Sequence, residues 1–364
     1  MLSRTADHLY WMARYMERAE NTARMLDVNY QTSLLPQSTH AAEQGWHGLL
    51  SISELTDSFR RKYDRFDAAS VIDFMVRDEA NTSSIVACLH AARENARAVR
   101  GALTTEVWET QNQTWLEFRR LLAGDRLQRD PSALLEWVKF RSHLSRGVTV
   151  GTMLQDEAFH FLRIGSFLER ADNTARLLDV KFHALPSEYF GAGGAGRAMR
   201  QAMAPGAMTQ SMGGMTQTLA AATPPAGAPA AAQVAESGGN KDVEFDFYHW
   251  SAVLRSVSGF EVYRKVYRNV IRPERVAELL ILRPDMPRSL AACMHEVVSN
   301  LHRVANEQSK DTLRLAGRLD ADLQYGRIDE ILATGLHAYL TQFLERVNAL
   351  GAGISRDFLV PVAA

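Results

Sequence analysis

Cysteine is nearly absent from this chain of 364 residues, where only Cys88 and Cys293 occur. Two thiols form at most one bridge, which excludes a disulfide framework, and the pair reads as small buried apolar side chains in a reducing, cytoplasmic setting. A surplus of charge is missing too. Lysine and arginine number 41 against 42 aspartates and glutamates, with no long run of either sign, so no electrostatic footprint exists for nucleic acid or an anionic membrane. The sequence also lacks an uninterrupted apolar stretch of about eighteen residues that would span a bilayer. Near the start, Leu2, Leu9, Met12 and Met16 are interrupted by Arg4, Asp7 and Arg14, so a signal peptide is not expected. The glycine-rich run from Gly191 to Gly196 has neither the following Lys-Ser/Thr of a phosphate loop nor the preceding strand of a dinucleotide site. No cofactor is expected.

β alternation is absent over any useful length, and what is present is helical periodicity. Apolar residues recur at three and four, as in Leu332, Leu336, Leu340 and Leu344, which predicts an all-α protein. A twelve-residue segment then occurs twice: Glu17-Arg18-Ala19-Glu20-Asn21-Thr22-Ala23-Arg24-Met25-Leu26-Asp27-Val28 and Glu169-Arg170-Ala171-Asp172-Asn173-Thr174-Ala175-Arg176-Leu177-Leu178-Asp179-Val180. The offset is 169 − 17 = 152. A second match, Ser84 to His90 with Ser289 to His295, has an offset of 293 − 88 = 205. The expectation is an internally duplicated helical bundle with pseudo-two-fold symmetry. Residues 1–150 would form the first repeat, 151–190 the signature helix of the second, and 241–364 the rest of it. The difference in offset falls on 191–240, rich in Gly, Ala, Pro and Met, which reads as a disordered insert. Helices are expected at about 43–63, 68–77, 81–102, 104–124 and 131–147, the last capped by Asp130-Pro131 and stopped by Gly147. After a second signature helix near 154–185, the series continues at 244–268, 274–282, 287–308, 309–323 and 327–350.

At about 100° per residue, Glu17, Glu20, Arg24 and Asp27 share one sector of the signature helix, and Arg14, Arg18, Asn21 and Met25 share another. The small residues Ala13, Ala19 and Ala23, matched by Gly165, Ala171 and Ala175, would let another helix approach closely, with the charges at the edge of the seam. Glu20 with Arg24 and Asp172 with Arg176 are acid-before-base pairs at the favourable i,i+4 spacing. Two readings follow. In one, the signature helices interlock through a carboxylate and arginine network that is purely structural. In the other, Arg18 and Arg170, or Arg24 and Arg176, grip a carboxylate or phosphate by the guanidinium fork. Arg14, Glu20, Asn21, Asp172 and Asn173 would surround that ligand, and Glu17 and Glu169 would orient the arginines or act as acid or base. A metal is not expected. An arginine one turn away competes for each carboxylate, and His8 lies nine residues from Glu17, about 13.5 Å along the axis.

The opening Leu2-Ser3-Arg4-Thr5-Ala6 followed by Tyr10-Trp11-Met12-Ala13-Arg14-Tyr15-Met16-Glu17-Arg18-Ala19-Glu20-Asn21-Thr22-Ala23-Arg24 closely resembles the bacterial alpha-E domain family. Ala92-Arg93-Glu94-Asn95-Ala96-Arg97, Glu106-Val107-Trp108-Glu109 and Thr152-Met153-Leu154 leading into Phe161-Leu162-Arg163-Ile164-Gly165 extend the resemblance to nearly the whole chain outside 191–240. It implies all-helical proteins encoded beside, or fused to, circularly permuted ATP-grasp ligases and transglutaminase-like proteases. The implied role is a helical accessory or substrate-holding component of an amide-bond-forming system, with an acidic peptide or amino acid as possible ligand. A stand-alone enzyme using the Glu/Arg clusters on an amide or amino substrate, and a scaffold without ligand, are the alternatives. The chain itself carries neither ATP-grasp strands nor a protease Cys-His-Asp set.

Overall fold

A computed structural model of the chain describes residues 1–36, 38–183 and 249–359, and every regular element among them is a helix. The expectation of an insert at 191–240 lies outside the described residues. The helices are α1 (Ser3–Ser33), α2 (Thr39–Ile52), α3 (Thr56–Arg60), α4 (Ala68–Val76), α5 (Ile85–Ala98), α6 (Thr105–Ala123), α7 (Arg126–Arg129), α8 (Pro131–Thr152) and α9 (Glu157–His183). Where description resumes, residues 249–256 are helical, followed by α10 (Phe260–Tyr267), α11 (Pro273–Ile281), α12 (Leu290–Arg303), α13 (Lys310–Gln324), α14 (Ile328–Thr334) and α15 (Leu336–Phe358).

Local chemistry starts six of these helices. The side chains of Ser38, Asp67, Ser84, Thr104, Asp130 and Ser289 each accept a first-turn backbone N–H, satisfying donors that have no partner within the helix. Asp130-Pro131 acts as the sequence suggests, with Pro131 in the first turn. Four boundaries differ from expectation, one of them a break at Ser258, φ 54°, within the helix expected at 244–268. The helix near 43–63 is two, broken at Glu54, whose φ is 56°. Gly335, at φ 99°, separates α14 from α15, a conformation that glycine adopts without steric cost. Gly147 does not stop α8, which continues to Thr152 because Thr149 beyond it is buried and its hydroxyl bonds the Ser145 carbonyl at 2.8 Å.

The central element is the pair α1 and α9. Ala13 faces Gly165, Glu17 reaches Arg170 and Met25 reaches Asn173, so the two helices run in the same direction. Their approach is close: a Cβ on Gly165 would come within 2.3 Å of the Tyr10 carbonyl oxygen. Ala19, Ala23, Ala171 and Ala175 are all fully buried. Around this pair, α5 and α8 pack on α1, while α12 and α15 pack on α9. The core thus surrounds the one place where both signature segments meet.

Candidate functional site

Close backbone approach carries the charged residues of each helix into the seam beside the other. One turn beyond the Ala13 and Gly165 contact, the Arg170 guanidinium grips Glu17 as a fork, Nε to Oε1 at 2.9 Å and Nη2 to Oε2 at 2.8 Å. Arg18 grips Glu169 in the same way, at 2.5 and 3.1 Å, and Arg14 Nε adds a third bond to Glu169 at 2.7 Å. The two Glu-Arg dipeptides therefore exchange partners across the seam. Paired planar forks of this kind are charge-assisted and geometrically selective.

Two clusters result. Around Glu17 and Glu20 lie Arg24, Arg146, Arg170 and Arg288, all within ion-pairing distance. Asn21 accepts from Arg288 at 2.7 Å, and Ser142 donates to Glu20 at 2.7 Å. Around Glu169 lie Arg14 and Arg18, while Asp172 pairs with Arg176 at 2.9 Å and Arg176 also reaches Glu54. Asn173 makes only a long contact to the Met25 sulfur, at 3.9 Å. The arginine pairs considered for a common ligand are already engaged. Arg18 and Arg170 each hold a glutamate of the opposite helix, and Arg24 and Arg176 belong to different clusters.

The carboxylates are not at the edge of the seam but inside it, with Glu17 1% and Glu20 0% exposed. Burial alone would raise their pKa values. For Glu17 that effect is outweighed by Arg170 and Arg288, and for Glu20 by Arg288 and Arg146, so both lie below the ordinary carboxylate range. Glu169 is pushed up by burial and pulled down further by Arg14 and Arg18, to about 2. Asp172 goes the other way, because burial exceeds the help it receives from Arg176. Three glutamates are thus held ionised.

Several members of these clusters escape a reading by repeats. Arg146, Ser142 and His143 come from α8, and Arg288 from the turn before α12. His143 sits between two guanidinium groups, its Nε2 3.0 Å from Arg24 and its Nδ1 2.6 Å from Arg146. A cavity of about 240 Å³ opens beside Glu17, with Arg146, Arg163 and Arg170 in its wall. Elsewhere, His8 contacts Asn95 and His160 contacts Asn300, at 2.7 and 2.8 Å. Among the described residues no group of three or more His, Cys, Asp or Glu side chains is placed to hold a metal ion. Cys88 and Cys293 are buried, and burial pushes both thiols up to about 12. No helix among the described residues is long and apolar enough to cross a membrane.

No curated protein and no solved structure matches the chain significantly. The Alpha-E family model, described as a predicted alpha-helical domain with a conserved ER motif, matches residues 1–359. Glu-Arg dipeptides stand at 17–18 and 169–170, at the centre of the exchanged pairs. The chain belongs to the Alpha-E family.

Proposed function

We propose that this chain is a helical, substrate-holding accessory component of a bacterial amide-bond-forming system, working in the cytoplasm beside an ATP-grasp ligase and a transglutaminase-like protease. Its Glu-Arg dipeptides serve as the clasp that holds the body together. The observation that carries the clasp reading is the reciprocal exchange, in which Glu17 is held by Arg170 and Glu169 by Arg18. A general base or acid near neutral pH needs a pKa near that pH. Glu169 held at about 2 is poorly suited to that work, which counts against the stand-alone enzyme. The balance of two buried thiols and no membrane-crossing helix among the described residues is compatible with the cytoplasmic reading.

The body itself is inferred to be an internal duplication about a pseudo-two-fold axis running along α1 and α9, with repeats at 1–150 and at 151–190 plus 241–364. Paired contacts at the two sequence offsets support this. His8 with Asn95 corresponds to His160 with Asn300 (8 + 152 = 160, 95 + 205 = 300). The Cys88 thiol faces the Thr82 carbonyl as the Cys293 thiol faces that of Pro287 (82 + 205 = 287).

The functional reading is tested by assaying the purified protein alone and with the ATP-grasp ligase proposed as its partner. Alone it should neither form nor cleave an amide bond, and added to the ligase it should change the rate of ligation. Turnover by the protein alone, lost in folded Glu17→Gln or Glu169→Gln variants, would make it an enzyme instead.

A further inference from the structure

The two charged clusters are not balanced alike. Around Glu169, Asp172 and Glu54 there are three guanidinium groups, Arg14, Arg18 and Arg176. Around Glu17 and Glu20 there are four, with no further carboxylate within ion-pairing distance among the described residues. The second cluster therefore carries a formal excess of two positive charges in a largely buried place, an arrangement that is costly unless solvent or an anion meets it. His143 shows the crowding directly. A neutral imidazole accepts at one nitrogen only, yet both of its nitrogens face arginine N–H groups.

The excess opens onto the cavity beside Glu17. Arg146 links the two: its Nη1 contacts Glu17, Glu20 and Ser142, its Nη2 faces His143, and its Nε is unused, with the side chain 27% exposed. Arg163 enters the same wall stacked on Phe167 at 4.5 Å and spends only one nitrogen on Glu296. Gln111, also in the wall, donates to Ser145 at 2.6 Å and leaves its Oε1 buried without a partner. Met12, Met16 and Leu162 add an apolar part to the lining. At about 240 Å³ the space is below the roughly 300–1,000 Å³ of pockets for drug-sized ligands, which suits a smaller molecule.

A second cavity of about 200 Å³ lies at the corresponding place on the other side of the seam. There Gly351 stands at the position of Arg146 (146 + 205 = 351) and Val347 at that of Ser142 (142 + 205 = 347). Arg14 borders this second cavity but is committed to Glu169, whereas its counterpart in the first is Ser166 (14 + 152 = 166). Arginines outside the exchanged pairs, Arg146 and Arg163, and a hydroxyl-rich wall belong to the first cavity and not to the second.

We propose that the cavity between α1, α8 and α9 binds a small organic oxyanion with an apolar body, of amino-acid to dipeptide size. The oxyanion meets Arg146 and Arg163, an N–H or O–H of the ligand supplies Gln111, and the apolar part lies on Met12, Met16 and Phe167. This rests on the substrate-holding reading above, but it is read on the isolated protein, so its failure is separate from failure of the ligase association.

The test is calorimetric titration and thermal melting with three probes at matched ionic strength: N-acetyl-leucine, which carries a carboxylate, an amide N–H and an apolar side chain, then inorganic phosphate, then sodium chloride. Arg163→Gln removes a cavity cation outside the exchanged pairs, and Ser166→Leu fills the space without touching any charge. Binding of N-acetyl-leucine above the phosphate and chloride controls, weakened tenfold or more in both folded variants, is the expected result, whereas binding of phosphate alone would contradict the apolar body. No binding beyond chloride, or binding that survives unchanged in Ser166→Leu, would overturn the proposal.

Discussion

Glu169→Gln removes one negative charge from between Arg14 and Arg18 while keeping the size of a side chain that is 6% exposed. Glutamine retains a single acceptor oxygen, so the three bonds that Glu169 receives cannot all survive, and two guanidinium groups lose their counterion. A carboxyl held at about 2 instead of 4.5 corresponds to about 3 kcal/mol of folding stability, at about 1.4 kcal/mol per tenfold in proton affinity. Removing one partner of a buried pair costs roughly 3–5 kcal/mol, and the low end applies here because Arg14 and Arg18 keep 18% and 25% exposure to water. The two routes agree on about 3 kcal/mol at neutral pH. Because the folded pKa is depressed, this stability is fully present above 4.5 and is lost as the pH falls toward 2. Urea denaturation of both proteins should give a difference of about 3 kcal/mol at pH 7 that narrows to about 1 kcal/mol at pH 3. A difference below about 1 kcal/mol at pH 7, or one that stays constant on acidification, would refute the reasoning.

Gly165→Ala should destabilise by about 1–3 kcal/mol, since its Cβ would meet the Tyr10 carbonyl oxygen at 2.3 Å, and a lowered melting temperature checks it beside a Gly147→Ala control, whose Cβ meets nothing inside α8 and which should raise the melting temperature slightly. Cys88 and Cys293 should resist Ellman's reagent in the native protein and react promptly in urea, because both thiols are buried and pushed up to about 12.

Periodicity carried the helical class, and residue size carried the seam: Ala13, Gly165 and the paired alanines mark where two helices approach before any coordinate is known. The i,i+4 pairs Glu20 with Arg24 and Asp172 with Arg176 were legible for the same local reason. The exchange of partners between the Glu-Arg dipeptides was not, because it depends on the rotation of α1 against α9, which the sequence of neither helix contains. Arg146 and Arg288 were invisible for a different cause. A comparison of repeats highlights what recurs, and these two do not: their counterparts are Gly351 and Ser83 (288 − 205 = 83). The asymmetry on which the proposed oxyanion site rests therefore lies in residues that matching the two similar segments conceals. Helix breaks at Glu54 and Ser258 were missed because neither residue favours the positive φ it adopts, 56° and 54°.

The partner exchange across the seam is tested most directly by a double-mutant cycle on Glu17 and Arg170, which lie 153 positions apart in the chain and meet only through it. Glu17→Gln, Arg170→Gln and the double variant are each unfolded in urea at pH 7. A coupling energy of about 2 kcal/mol is predicted, within the range seen for residues in direct contact in one network. Single-variant effects that add to within about 0.5 kcal/mol, as those of distant sites do, would contradict the clasp.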